Sequence, residues 1–203
     1  MKNIIKIKRD FQEHERWLQT LGKEGEKLVL DEKDLRGIVL DEEKYEQAYL
    51  TDCIFDYRNM KSYSFYLAKL LSTSFKNCYF ENNDFTKADL SYTNFSNSTF
   101  YEVRMNKCDC IETDFCNVHI ENSNMQDSFF ESADFRNATL NNVNISFSNF
   151  EEILVKGMIL NNIEGFDKIV NLSINIADFD NPTILKGEDA IIWLKNNSFK
   201  RDL

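Results

Sequence analysis

The chain has 203 residues, 42% of them hydrophobic, with 6 Gly and 1 Pro; this suits one domain, or one domain with small appendages, around a continuous core. No uninterrupted apolar run approaches the roughly 18 residues that a membrane-spanning helix needs. The net charge of −10 is unevenly spread, with 7 Lys/Arg against 5 Asp/Glu in residues 1–27, 12 against 22 in 28–160 and 5 against 7 in 161–203, which disfavours direct binding to nucleic acid or to an anionic membrane.

The N-terminal segment up to Phe11 is charged and lacks an apolar signal core. Together with five cysteines, an odd number that favours free thiols, this places the expected compartment in the cytoplasm. Asp10 to Leu21 sets Phe11, Trp17, Leu18 and Leu21 on one helical face and ends at Gly22, predicting an amphipathic capping helix within an N-terminal segment of residues 1–27.

From Leu30 to Phe150 every residue whose number is a multiple of five is apolar, 25 in all and without a slip of frame. Two places earlier, between Ala48 and Ser148, 18 of 21 positions carry Ala, Ser, Thr, Cys or Val, the exceptions being Arg58, Tyr63 and Asn83. A period of five belongs neither to a helix nor to a long strand. Two residues separated by one share a side of an extended chain, so each unit places one small and one large side chain inward and then turns. Four right-angled units close a square coil of about 20 residues, and coils stack at roughly 4.8 Å. Residues 28–160 then form an all-β, quadrilateral β-helix of about six to seven coils, on the order of 30 Å long. Residues 20 apart lie above one another, predicting a core column of Phe55, Phe75, Phe95, Phe115 and Phe135. A second column, Tyr45, Phe65, Phe85, Met105, Met125 and Ile145, stands opposite.

No Gly or Pro occurs between Ile38 and Lys156. Turns that need positive φ are therefore expected to use Asn or Asp; Asn77, Asn97, Asn117 and Asn137, and Asn122, Asn142 and Asn162, recur at the required spacing with amides placed to bond along the stack. The first coil is imperfect, because Lys33 and Glu43 take places meant for small residues. Arg58 and Tyr63 break the small-residue pattern, and a bulge or rotation between Asp56 and Tyr63 is expected. After Leu160 the frame fades into a C-terminal cap, residues 161–203, punctuated by Gly165, Pro182 and Gly187, with a short helix over 188–197. Its apolar run Ile191, Ile192, Trp193 and Leu194 either seals the last coil or forms a dimer contact.

Residues suited to chemistry are sparse. His14 and His119 are expected in solvent, Cys53, Cys78, Cys108 and Cys110 fall inward as small hydrophobes, and only Cys116 is expected to be exposed. No spacing points to zinc, to a phosphate loop or to a nucleophile motif, so no catalytic, metal or cofactor residues are assigned. Carboxylates on a regular rod spread outward rather than converge. Acidic stripes pair Asp89 with Asp109 and Asp114 with Asp134. Apolar side chains are expected outside at Leu67, Leu71, Ile111, Phe129 and Phe147, with Ile111 and Phe129 nearly stacked beside Tyr49 and Tyr92 as a partner patch.

The runs Ala88-Asp89-Leu90-Ser91-Tyr92, Ala133-Asp134-Phe135-Arg136-Asn137 and Ala138-Thr139-Leu140-Asn141-Asn142 resemble the A(D/N)LXX unit of pentapeptide-repeat proteins. The resemblance implies a right-handed quadrilateral β-helix with terminal caps, often dimeric. Some members resemble DNA rods, bind type II topoisomerases and confer quinolone resistance. The first expectation is a non-enzymatic binding or scaffold protein presenting a rigid acidic surface to a protein partner. The alternative is a DNA-mimicking binder of gyrase. Duplex DNA of about 30 Å carries roughly 17 charges, more than the −10 of residues 28–160, where Lys87, Arg104, Lys107 and Arg136 are interspersed. No insertion loop of the kind that assists some quinolone-resistance members interrupts the frame.

Overall fold

A computed structural model describes residues 2–38 and 44–199. Leu40 and Glu43 of the repeat lie outside the described residues. The fold is a right-handed β-solenoid of about seven turns with a helix at each end. Helix α1 (Lys2–Gln19) precedes short strands β1 (Val29–Asp31), β2 (Tyr49–Thr51), β3 (Asn59–Lys61), β4 (Tyr79–Glu81), β5 (Thr99–Tyr101) and β6 (His119–Glu121). Longer strands β7 (Thr139–Asn144), β8 (Asn149–Leu154) and β9 (Ile159–Glu164) follow, and then β10 (Asn171–Asn175), β11 (Ile184–Lys186), α2 (Gly187–Asn196) and β12 (Ser198–Phe199). One face is a seven-stranded parallel sheet in the order β12-β9-β7-β6-β5-β4-β3.

The register is 20 residues at every step from β3 to β7: Met60 pairs with Phe80, Phe80 with Phe100, Phe100 with Ile120 and Ile120 with Leu140. Each unit feeds the ladder in the same way. The central N–H points to the next coil, as from Phe75 to Asn94 O (2.8 Å) and from Phe95 to Asp114 O (2.8 Å), while the preceding N–H points back, as from Asn94 to Thr73 O (2.9 Å). Two residues after the centre, the N–H again points forward, as from Asn97 to Cys116 O (3.0 Å). Backbone polar groups buried by stacking are thereby satisfied between coils.

Large side chains fill the axis. Successive rings from Phe55 to Phe135 stack at 4.8, 5.4, 5.5 and 4.8 Å, nearly parallel. Across the core they meet edge-on, as for Phe85 and Phe95 at 5.9 Å and 83°, so the coil spacing imposes offset stacking along the rod and T-shaped contacts across it. The small residues do more than leave room. Ser98 Oγ donates to Phe75 O (2.7 Å) and accepts from the Cys78 N–H (2.8 Å), and Ser128 Oγ likewise links Met105 O (2.7 Å) to the Cys108 N–H (3.0 Å). Thr73, Thr93 and Thr113 donate to Leu50, Leu70 and Leu90 carbonyls at 2.6–2.8 Å. Asn83 breaks this rule: it is fully buried, and neither its amide nitrogen nor its oxygen has a partner.

Four expectations are corrected. First, the capping helix begins at Lys2, well before Asp10, because Ile7 continues the buried face one turn upstream. Second, positive φ is not reserved for Asn and Asp. The seven Asn lie there, Asn77 at 56° and Asn142 at 54° among them, but so do Tyr57 (64°), Leu67 (58°), Lys87 (62°) and Phe147 (61°). The square coil demands the left-handed conformation at this corner whatever residue is present, at about 1–2 kcal/mol each for ordinary side chains. Third, no bulge interrupts Asp56 to Tyr63: Ile54 pairs with Ser74, Asn59 with Tyr79 and Ser64 with Asp84 in unbroken register. Arg58 keeps its place by reaching into the first coil, where Nη1 donates to Leu35 O (3.0 Å) and Ile38 O (3.3 Å). Fourth, the ladder outlasts Leu160, since Val143 pairs with Ile163 and β10 lies parallel on β8 with one register shift.

At the C-terminal end α2 packs Ala190 and Leu194 into the core, with Trp193 partly buried against it. β11 returns antiparallel along β10, and β12 extends the seven-stranded sheet. Leu194 also closes a small apolar cavity lined by Phe135, Ile145, Phe150 and Phe166, among others.

Candidate partner-binding face

The face built on Leu50, Leu70, Leu90, Cys110 and Phe130 carries the notable outward side chains. Stacked bridges run from Tyr49 to Lys69, Asp89, Asp109, Phe129 and Asn149. Phe129 is 52% exposed, and Tyr92, on the adjoining corner, is also 52% exposed. Ile111 is half-buried, and its carbonyl accepts the Tyr92 N–H at 2.8 Å.

This arrangement corrects the expected patch. Phe129 sits directly above Asp109, not above Ile111, whose neighbour on the next coil is Glu131. Tyr49 is four coils below Phe129, about 19 Å at the ladder spacing, with Lys69, Asp89 and Asp109 between them. Tyr49 belongs instead to a cation–aromatic cluster at the N-terminal end, with Lys27 Nζ 3.9 Å from its ring centroid and Lys69 Nζ at 5.6 Å. Phe129, Ile111 and Tyr92 lie on successive coils joined by the Cys110 N–H on Phe129 O (2.7 Å) and the Tyr92 N–H on Ile111 O (2.8 Å). Of the other expected outward residues, Leu67 and Phe147 are exposed and Leu71 is half-buried.

The two acidic stripes differ in chemistry. Asp89 and Asp109 stand in register as like charges, and the Asp109 carboxyl is raised above the usual range by partial burial and by Asp89. Asp114 and Asp134 also stand in register, but Arg136 grips both oxygens of Asp134 (2.6–3.0 Å). Asp114 accepts from the Cys116 N–H (2.9 Å) and from the Asn94 amide (2.8 Å), while burial raises its carboxyl. Beside this pair, Phe179 is 61% exposed and lies 5.2 Å from the Arg136 guanidinium, on a loop that also places Asp178 at the Lys156 ammonium (2.7 Å). Asp114, Cys116 and Asp134 bring ligand atoms within 4.8 Å of one another. Arg136 already supplies the positive charge there, and burial raises the Cys116 thiol away from the thiolate a metal requires. Elsewhere, cations are spent on carboxylates of adjacent coils, Lys61 with Glu81 (2.6 Å) and Arg104 with Asp84 (3.0 Å).

Cys53, Cys78, Cys108 and Cys110 are buried and unpaired, and burial raises the Cys78 thiol to about 11. His119 lies on the outer surface near Glu121 (3.4 Å). His14 does not lie in solvent: it is fully buried on the inner face of α1, stacked on Trp17 at 5.9 Å. The spacing of Ile7, Phe11, His14 and Leu18 puts it on the apolar face of the helix, a signal present in the sequence. At the other end, Trp193 and Leu194 turn toward the core, Ile191 is half-buried and Ile192 is 49% exposed, so the run that was a possible dimer contact serves in part to close the rod.

Residues 64–100 and 122–154 match the family model described as pentapeptide repeats, in 8 copies. No curated protein matches the sequence. Among solved structures the chain is similar to trypsin-treated QnrB1, a plasmid-mediated fluoroquinolone resistance protein, at 17% identity and TM-score 0.38, over 68% of this chain and 75% of that one. It is also similar to HetL, involved in heterocyst differentiation regulation in the cyanobacterium Nostoc sp., at 14% identity and TM-score 0.34, over 66% and 71%. Rfr23 from the cyanobacterium Cyanothece matches at 18% identity and TM-score 0.26, over 65% and 84%. No helix among the described residues is long and apolar enough to cross a membrane.

Proposed function

We propose that this chain, a pentapeptide-repeat protein, is a non-enzymatic scaffold that offers one rigid face of its rod to a protein partner in the cytoplasm. Pentapeptide-repeat folds commonly mediate protein interactions. The observation that carries the reading is the union of exposed Phe129 and Tyr92 and half-buried Ile111 with the stacked carboxylates of Asp89 and Asp109. Like charges in register oppose folding, and the coils hold them regardless. A partner bringing an apolar contact flanked by Lys or Arg relieves that repulsion and covers the aromatic surface. The unpaired thiols fit a reducing compartment.

The test is capture of interacting proteins from the native host with the wild type and with an Ile111→Asp/Phe129→Asp variant, each folded by circular dichroism. A partner held by the wild type and lost by the variant is the expected result. Identical partner sets would overturn the assignment of this face. The gyrase reading gains little from the surface, because Arg136, Arg104 and Lys61 neutralise acidic positions that a DNA mimic needs bare. Purified protein is accordingly expected to leave gyrase supercoiling unchanged at micromolar concentration, with and without a quinolone; inhibition or quinolone protection would restore that alternative.

A further inference from the structure

The lowest coil of a solenoid has polar backbone groups that its own repeats cannot satisfy. The carbonyl that follows each centre receives the N–H of the residue 19 places earlier: Tyr66 O from Gln47 (2.8 Å), Lys76 O from Tyr57 (2.9 Å) and Thr86 O from Leu67 (3.1 Å). Glu46 holds this place in the first coil, with α1 rather than another coil beneath it. Its carbonyl is met by His14 Nε2 at 3.0 Å. The other ring nitrogen, Nδ1, accepts the backbone N–H of Leu28 at 3.0 Å. Leu28 is the residue that opens the coil, and its own carbonyl receives the Tyr49 N–H (2.9 Å).

These two bonds fix the chemistry of the ring. An amide N–H can only donate, so Nδ1 must offer a lone pair, and the ring proton resides on Nε2, which donates to Glu46 O. The imidazole is therefore neutral when α1 is docked. A second proton would convert Nδ1 into a donor facing another donor, on a side chain that is 0% exposed. We infer that His14 is a proton-released latch, holding α1 across the first coil at neutral pH and letting it go in mild acid.

Three elements face the ring. From α1 the neighbour is the Trp17 ring; from the segment entering the first coil the charged group is Lys27; from the coil itself it is Glu46. Burial, reinforced by Lys27 and opposed by the Glu46 carbonyl and carboxylate, holds the imidazole below its ordinary value of 6.5. The sign follows. The docked form binds the proton less well than the free helix does, so docking is complete above about pH 6.5. It weakens about tenfold per pH unit below that, until the docked value is passed. Contacts that do not depend on the proton include the burial of Ile7, the edge-on contact of Phe11 with Tyr45 (5.4 Å), the Glu26 N–H on Glu13 O (3.2 Å) and an exposed pair between Glu15 and Lys44 (3.2 Å). Release uncovers Tyr45, Leu28 and the Glu46 carbonyl, an edge open to strand pairing.

The test follows the histidine Cε1–H and Trp17 indole resonances of the full-length protein by NMR from pH 8 to 4.5. His14 is expected to titrate below 6.5 with the Trp17 resonance moving at the same midpoint. His14→Gln retains a donor and an acceptor but takes no proton. It is expected to keep Trp17 unchanged down to pH 4.5, and to keep the 20–28 segment resistant to a Lys-directed protease at pH 5.5, where the wild type loses resistance. Should the Gln variant be undocked already at pH 8, the wild-type midpoints decide. His14 charging without a change at Trp17, or a Gln variant that follows the wild-type transition, would overturn the latch.

Discussion

The middle of the rod and its N-terminal end satisfy the same backbone needs by opposite means. From Phe55 to Phe135 the ladder N–H groups find their partners in the coils above and below, and the rings pile at the same spacing. At the lower edge there is no next copy, and a single imidazole serves two backbone groups of the first coil. Repetition makes the middle redundant: many equivalent bonds share the load. At the end the neutral His14 imidazole alone serves both the Leu28 N–H and the Glu46 carbonyl, while Arg58, in a small-residue place, is held by its bonds to the Leu35 and Ile38 carbonyls.

The largest effect expected from breaking this contrast is in the middle. Phe95→Ala removes a fully buried ring that stacks on Phe75 and Phe115 and is expected to cost about 3–5 kcal/mol in urea unfolding. Phe11→Ala at the cap, where the ring is partly exposed, is expected to cost about 1–2 kcal/mol and to leave the coil transition unchanged. The next effect has the opposite sign. Asn83→Thr replaces a buried, unpartnered amide with the hydroxyl that Thr73, Thr93 and Thr113 use to reach the coil below, and it is expected to add about 1–3 kcal/mol. Tyr57→Asn places the residue best suited to positive φ at a corner where a 73% exposed Tyr sits at 64° and Asn77 lies one coil above; a gain of about 1 kcal/mol is expected. The smallest is Asp109→Asn, which removes a charge stacked on Asp89. Because the Asp109 carboxyl is raised, the gain of about 0.5 kcal/mol is expected at neutral pH and fades in acid as the wild-type carboxyl takes up its proton.

These residues also mark what was legible beforehand. The columns of Phe could be read because each fifth residue meets the same surroundings, so one environment is written twenty-odd times. The Asn ladder was legible for the same reason: Asn142 donates to Asn122 (2.9 Å) and Asn162 to Asn142 (2.8 Å). Positive φ at Leu67 and Phe147 was not, since residue preference yields there to coil closure. His14 escaped because its use occurs once and an isolated histidine reads as solvated, although its place on the helix face of Ile7, Phe11 and Leu18 was there to be read. On the outer face, Phe129 and Ile111 were assigned outward, but their neighbours depend on the coil offset: Phe129 stacks on Asp109, and Tyr49 lies too far down the rod to join them.

The proposition beneath all of this is that every residue from Leu50 to Leu160 stands on the residue 20 places earlier. Amide–amide and α-proton–amide NOEs recorded across residues 50–160 test it directly. Contacts between positions separated by 19 to 21 residues, continuous from Leu50 through Leu160 and joined by ring contacts of Phe95 with Phe75 and Phe115, are the expected result. Interstrand contacts at any other spacing, or their absence around Phe95, would contradict the stacked square coil and the faces drawn on it.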